Sequence, residues 1–332
     1  MRKNYICLIL TLLMCSAFSC GGSKNTSSSN EQNKKIIVCV PTFNADSAYV
    51  YTAHQVEFGP RVPNTKTHDD CGNYLAQQLK IFGAKVTKQS AGVIAYDGTL
   101  LKATNIIGSY RPESKKRIAL FTHWDTRPWA DEDPDPKNHH TPILGANDGA
   151  SGVGVLLEIA RLMQHQLPDL GIDLIFLDAE DYGDPEFYKG ERKEESWCLG
   201  TQYWARNPHV DGYNARFGIL LDMVGGQNAA FLKEAYSEQF APDINKKVWK
   251  IAKQLGYGKY FIDKSCGYVT DDHLFVNNLA HIKTIDIINN DMSGKTSFGP
   301  TWHTLNDNME HIDKSTLKAV GQTVMEVIYN EH

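Results

Sequence analysis

The chain has 332 residues, 42% of them hydrophobic and 22% charged, enough apolar material for a sizeable core. Its formal net charge is −5 and its lysines and arginines form no basic stripe, which argues against nucleic acid as a partner. Beyond the amino end no repeat, low-complexity block or second linker divides it, so residues 41–332 read as a single domain.

The amino end reads as a targeting segment. Arg2 and Lys3 precede apolar residues 6–14, and small residues follow before Cys20. The apolar stretch is short for a membrane span. Residues 1–19 are therefore expected to be a signal peptide of the bacterial lipoprotein kind, with Cys20 lipidated. Ala17 stands where such signals usually carry leucine, which keeps ordinary cleavage as the rival. Residues 20–40, polar and rich in Ser and Asn, are expected to be a flexible tether. The expected location is periplasmic, with the lipid in a bacterial membrane, the inner leaflet of the outer one. Cys39, Cys71, Cys198 and Cys266 then remain in a compartment that permits disulfides, without zinc-ribbon spacing and with no pairing that sequence fixes.

In chain order, Ala45–Glu57 has a helical pattern, ended by the two prolines of residues 58–63. Residues 69–82 carry apolar groups at helical spacing and close on Gly83. Residues 85–89 and 104–108 are expected edge strands. Residues 117–122, 172–177 and 217–221 are short apolar runs, as expected of strands buried on both faces. Between the first two, residues 149–164 place Val153, Leu156, Leu157, Ala160 and Met163 on one helical face, with Asp148 and Ser151 as candidate caps. Further helices are expected over residues 196–206, 242–255, 271–276 and 314–329, and a buried strand over 282–288 before a long loop, 289–302. Strands alternating with helices make an α/β fold with a largely parallel sheet.

His123, Glu180, Asp181 and Asp222 all come closely after those strands. In an open α/β sheet ligands bind beyond the carboxyl ends of the strands, so these groups should share one crevice. Desolvated together they would repel or stay unpaired unless something holds them, and a divalent metal does so. Zinc takes carboxylate oxygen and imidazole nitrogen, and a catalytic site keeps one position open. Asp148, Asp181 and His303 could supply three ligands from three loops, although Asp148 alone reads equally as a helix cap and His303 as a surface histidine. With Glu180 and Asp181 adjacent, one can bind metal while the other acts as a base. The next acids along the chain, Asp184, Glu186, Glu191, Glu194 and Glu195, read as a solvated loop, as do His139 and His140 within residues 131–141. Trp124, Trp129 and Trp197 either line a pocket or pack. Asp125 is expected to hold the His123 imidazole, and Asp272 and His273 to cap a helix or orient Asp271.

The ordered motifs His123-Trp124-Asp125, Asn147-Asp148-Gly149-Ala150-Ser151-Gly152, Asp178-Ala179-Glu180-Asp181, Leu221-Asp222, Asp271-Asp272-His273 and Trp302-His303-Thr304 resemble the M28-type zinc exopeptidases. Within that class they resemble the glutaminyl cyclases (glutaminyl-peptide cyclotransferases), especially the Bacteroidetes form. The run HWDTRPWA from His123 and Trp302-His303-Thr304 are the most specific matches, FGPRVP over residues 58–63 fits as well, and the likeness extends from about residue 46 onward. The resemblance implies a three-layer α/β sandwich, a central mixed, mostly parallel sheet flanked by helices. It implies one zinc per chain on Asp148, Asp181 and His303, with Glu180 as general acid/base and Asp222 and Asp271 as further catalytic groups. Trp302 and Trp197 would contact the substrate. His123 and Asp222 match positions that hold a second zinc in related aminopeptidases. Asp181 departs from the glutamate of animal cyclases. Relatives also join Asp148 to the next residue by a cis peptide. The implied reaction turns the N-terminal glutamine of peptides and proteins into pyroglutamate and ammonia, with a monomer favoured. A di-zinc aminopeptidase and a non-catalytic binding module are the other readings of the same fold.

Overall fold

The computed structural model describes residues 39–290 and 296–331. The expected signal peptide, Cys20, nearly all of the expected tether and part of the 289–302 loop lie outside the described residues. The helices are α1 (Ala45–Glu57), α2 (Lys66–Ile81), α3 (Ala150–Met163), α4 (Leu199–Arg206), α5 (Ala235–Phe240), α6 (Pro242–Gln254), α7 (Asp272–Phe275) and α8 (Lys314–Asn330). The strands are β1 (Lys85–Ile94), β2 (Leu100–Tyr110), β3 (Arg117–His123), β4 (Gly171–Leu177), β5 (Gly218–Asp222), β6 (Phe231–Lys233), β7 (Phe261–Ser265) and β8 (Thr284–Ile288).

Six strands form one sheet in the order β1-β2-β4-β3-β5-β8, and β6 and β7 pair separately. The pairs β3/β4, β3/β5 and β5/β8 are parallel, whereas β1/β2 and β2/β4 are antiparallel. The sheet is therefore mixed, with a parallel half that carries the acidic strand ends. β2 is not the edge strand its sequence suggested: it lies between β1 and β4, and β1 alone takes that edge. The hairpin is also longer than residues 85–89 and 104–108, because its polar outer positions hide the strand pattern at both ends.

The apolar runs are buried on both faces because helices cover both. Ile118, Leu120, Ile172, Leu174, Phe176, Ile219 and Leu221 pack with residues of α2, α3, α6 and α8. The alternate residues Ala119, Phe121, Ile175, Leu177 and Leu220 pack with Trp204 of α4 and Val276 just beyond α7. That period of two, on strands apolar throughout, produces the three layers. Truncating Leu174, fully buried in the middle of this stack, would cost about 2–5 kcal/mol.

Register brings the functional ends into line. His123 ends β3 opposite Leu177 of β4, and Asp222 ends β5 opposite Ile288 of β8. Asp148 and Ser151 do not cap α3, whose N-cap is Gly149 with no side-chain bond. Ser151 instead donates to the Asn147 carbonyl (2.5 Å) and accepts the Val224 N–H (3.0 Å), so it ties the Asp148 loop to the end of β5. The Asp148–Gly149 peptide is cis. A Cβ at Gly149 would lie 2.6 Å from the His123 ring, so only glycine lets these segments approach.

Candidate active site

Each acidic side chain of the site is aimed by its own stretch of backbone. Arg61, buried within the FGPRVP run, donates to the carbonyls of Leu144 (2.6 Å) and Gly145 (2.8 Å), and so fixes the approach to Asp148. Asp307 then accepts the N–H groups of Asn147 (2.7 Å) and Asp148 (3.0 Å). After β4 the chain bends at Ala179, which has a left-handed φ of 52°. Asp125 accepts the backbone N–H groups of Glu180 (3.1 Å) and Asp181 (3.2 Å). Asp125, expected to hold His123, has its Oδ1 3.6 Å from the Nδ1 of that imidazole and raises its pKa, and it also orients the Glu180–Asp181 turn. His303 also has a left-handed φ, 53°. Such non-glycine residues store roughly 1–3 kcal/mol each, a cost met at functional sites.

These bends bring Asp148, Asp181 and His303 to one point, with a donor atom of each within 4.8 Å of the others. His303 Nε2 lies 3.2 Å from Asp181 Oδ1 and 3.6 Å from Asp148 Oδ2. Ligands about 2.0 Å from a tetrahedral zinc stand about 3.3 Å apart, so the spacing fits. Asp181 Oδ2 is buried with no hydrogen-bond partner among the described residues, as a ligand atom reserved for a cation would be. His123, Asp148 and Asp222 form a second such cluster. There His123 Nε2 already lies 3.0 Å from Asp148 Oδ1 and 3.1 Å from Asp222 Oδ1, so protein contacts satisfy it.

Burial pushes the carboxyls of Glu180 and Asp181 well above their ordinary values, and neighbouring carboxylates push the same way, Asp181 and Asp271 on Glu180 and Asp148 on Asp181. Burial lifts Asp222 to about 7, against the His123 hydrogen bond. Asp148 moves down despite burial, because His123 bonds to it. His303 is lowered to about 3 by burial and by Arg127. A neutral imidazole beside ionisable carboxyls is the form that binds a metal.

Asp148, Glu180, Asp181, Asp222, Asp271, Trp197, Trp302 and His303 line one cavity of about 260 Å³. Trp302 stacks on His303 with ring centroids 3.7 Å apart. Trp197 lies parallel to the same ring at 6.3 Å. Glu180 also meets the Cys198 thiol at 3.4 Å. Met223, Tyr268, Val269, Thr270, Ile288 and Phe298 complete the walls. Sequence reasoning did not place them in the pocket: most stand in loops without a periodic signal, and Ile288 read only as the end of a buried strand. It also missed Arg127 and Asp131 behind the ligands, although both belong to or adjoin the distinctive HWDTRPWA run. Trp124 and Trp129 are not in the cavity: Trp124 stacks on His68 and Trp129 packs on Tyr182. Asp184 is buried rather than solvated and accepts from Ser196 (2.8 Å), while Glu186, Glu191, Glu194 and Glu195 are exposed. His139 contacts the Asp133 carbonyl, apart from the cavity. Asp271 is the N-cap of α7; Asp272 accepts from Thr201, and His273 pairs with Glu234 at 2.9 Å.

A mixed sheet flanked by helices, with an Asp–Asp–His cluster and a neighbouring glutamate at its parallel strand ends, is the architecture of the zinc exopeptidase-like fold. The chain belongs to Peptidase family M28, whose sequence pattern matches residues 105–328. It is similar to the solved glutaminyl cyclase of Bacteroides thetaiotaomicron bound to N-acetylhistamine, at 76% identity, 89% of this chain, 100% of that chain and a TM-score of 0.87. It is also similar to a solved Zn-dependent exopeptidase of Parabacteroides distasonis, at 60% identity, 88% and 100% coverage and a TM-score of 0.87. The glutaminyl-peptide cyclotransferase of Drosophila melanogaster is 25% identical over 285 residues, 77% of this chain and 73% of that one.

Proposed function

We propose that this protein is a glutaminyl-peptide cyclotransferase that uses one zinc per chain, held by Asp148, Asp181 and His303. The observation that carries the reading is the cavity itself: Glu180 and the Asp–Asp–His cluster sit together beneath the rings of Trp197 and Trp302, in a chain 76% identical to a glutaminyl cyclase.

The substrate is a peptide or protein with N-terminal glutamine, whose side chain enters between Trp197 and Trp302. Bound zinc supplies Lewis-acid polarisation of the γ-carboxamide. The α-amine and the γ-carbon belong to one residue, so the pocket gains rate by holding the curled conformer in which they meet. Glu180 takes the proton released by the attacking amine and returns it to the departing ammonia. Burial raises this carboxyl, the direction that favours its holding the proton between the two transfers. Asp222 and Asp271 line the same cavity and balance the charge that moves through it. The C–N bond to ammonia breaks as the lactam C–N bond forms, and no water is consumed.

The deciding experiment incubates the purified chain with Gln-peptides and with Leu-peptides and monitors mass. Loss of ammonia from the Gln-peptides is expected; release of free amino acid would mean the di-zinc aminopeptidase, and no change in either a binding module. We further propose that Cys20, following the leader of residues 1–19, carries lipid and anchors the protein at a membrane facing the periplasm. Cys20→Ser should release the protein on lysis without detergent; retention in the membrane would point to an uncleaved apolar segment.

A further inference from the structure

Arg127 lies in the distinctive HWDTRPWA run, yet the proposed chemistry gives it no part. It is almost completely buried and makes a two-pronged pair with Asp131, Nε to Oδ1 at 2.7 Å and Nη2 to Oδ2 at 2.6 Å. A pair buried this deeply is not explained by stability alone, since well-packed apolar groups would serve as well.

Its position suggests a use. Nη1 donates to the main-chain carbonyl of Asp181 (3.2 Å) and stands 3.6 Å from Asp181 Oδ1. The guanidinium also reaches the carbonyls of Gly183 and Asp184, both at 3.4 Å, so it gathers the whole turn beyond Asp181. Its Cζ lies over the Trp197 ring, 4.7 Å from the centroid. Gly183 makes room for that ring: a Cβ there would fall 2.1 Å from it. On the other side, Asp131 Oδ1 lies 3.6 Å from His303 Nδ1, the nitrogen facing away from Asp148 and Asp181. The neighbouring Glu132 N–H donates to the His303 carbonyl at 3.1 Å. One short segment thus reaches two proposed ligands and one wall of the pocket.

We infer that Arg127 and Asp131 act together as positioning residues, fixing Asp181 and His303 for the metal and Trp197 for the substrate. The inference rests on the metal assignment proposed above. The Arg127 fork sets the Asp181 turn, and Asp131 places a carboxylate 3.6 Å from the Nδ1 side of the imidazole, while Nε2 faces Asp148 and Asp181. Neither group touches substrate.

The test is a competition titration of metal-free protein with zinc and a chromophoric chelator, with thermal unfolding of each variant alongside. Arg127→Lys keeps the buried charge and loses the planar fork. Asp131→Asn loses the charge that faces His303. Each should bind zinc about 10–100-fold more weakly, the usual effect of removing a group behind a ligand. The double variant Arg127→Met/Asp131→Leu removes both charges of the pair together; it should still fold and bind zinc at least about 10-fold more weakly. Wild-type zinc affinity in the double variant would overturn the inference and leave the pair as a structural one. Should that variant fail to fold, Arg127→Lys decides: an affinity within about twofold of wild type overturns it equally. His303→Ala reports separately on the underlying assignment, because undiminished zinc affinity there removes the metal site whatever Arg127 does.

Discussion

At the amino end of the parallel strands, Asp173 of β4 is fully buried and both its oxygens are answered. Arg117 of β3 donates to them at 2.6 and 2.7 Å, and the Tyr213 hydroxyl adds a third bond at 2.8 Å. At the carboxyl end of the same strands, Asp181 keeps one buried oxygen without a donor among the described residues, and burial pushes Asp181 and Glu180 up together. Both ends carry buried acid. One is closed by protein cations and neutral donors; the other is left short of them. The first arrangement holds β3 to β4, and the second costs stability, which on the proposed function a cation and a substrate would offset.

The largest break in this comparison comes from Glu180→Gln, which keeps shape and removes the proton carrier. Turnover on a Gln-peptide should fall about 10²–10⁴-fold with zinc content unchanged. Unchanged turnover would reduce Glu180 to a structural acid. Next in size is His303→Ala. Zinc content and activity should fall together, while the melting temperature falls much less, because the core is formed by strands and helices away from the cluster. Full zinc occupancy with normal turnover would remove His303 from the site.

The two ends were not equally legible. The acids at the carboxyl end stand directly after apolar runs, and a buried run must deliver its next residues to the strand end; this is why His123, Glu180, Asp181 and Asp222 could be placed in one crevice from order alone. Asp148, Asp271 and His303 come from loops with no such periodicity, and their place rested on motif resemblance. At the amino end the Arg117–Asp173 pair gave no signal, because each residue sits inside an apolar run 56 residues from the other. The helices were read well where one face is apolar, as in α3, and the short β6, β7 and α5 were missed because their contacts are made at a distance in sequence. Trp249, for example, closes β6 onto β7 by donating to the carbonyls of Phe231 (3.2 Å) and Ile262 (3.1 Å).

A third variant tests the closed end. Arg117→Met leaves Asp173 buried with only the Tyr213 hydroxyl as a side-chain donor. Breaking such a pair costs about 3–5 kcal/mol of unfolding free energy. Denaturant unfolding should show that loss, and zinc affinity at the other end of the strands should stay at its wild-type value. A parallel drop in zinc affinity would mean that the two ends are mechanically coupled and do not serve separate purposes.

The smallest expected effect falls on the wall of the pocket. Trp302 stacks on His303 at 3.7 Å, with an interplanar angle of 23°, and packs on Phe298 at 4.9 Å. It borders the cavity, and in the proposed reaction its contribution would be to hold the glutamine side chain and to steady the imidazole. A ring contact of this kind contributes about 0.5–1.5 kcal/mol, or roughly 2–10-fold in binding. Trp302→Ala should therefore raise KM for a Gln-peptide by about that factor and change kcat little, and Trp302→Phe should recover most of the loss. Steady-state kinetics on both variants separates the outcomes. A fall in kcat at constant KM would show that the ring acts on the chemical step through His303, and the open end of the sheet would then include its aromatic wall as well as its unpaired carboxylates.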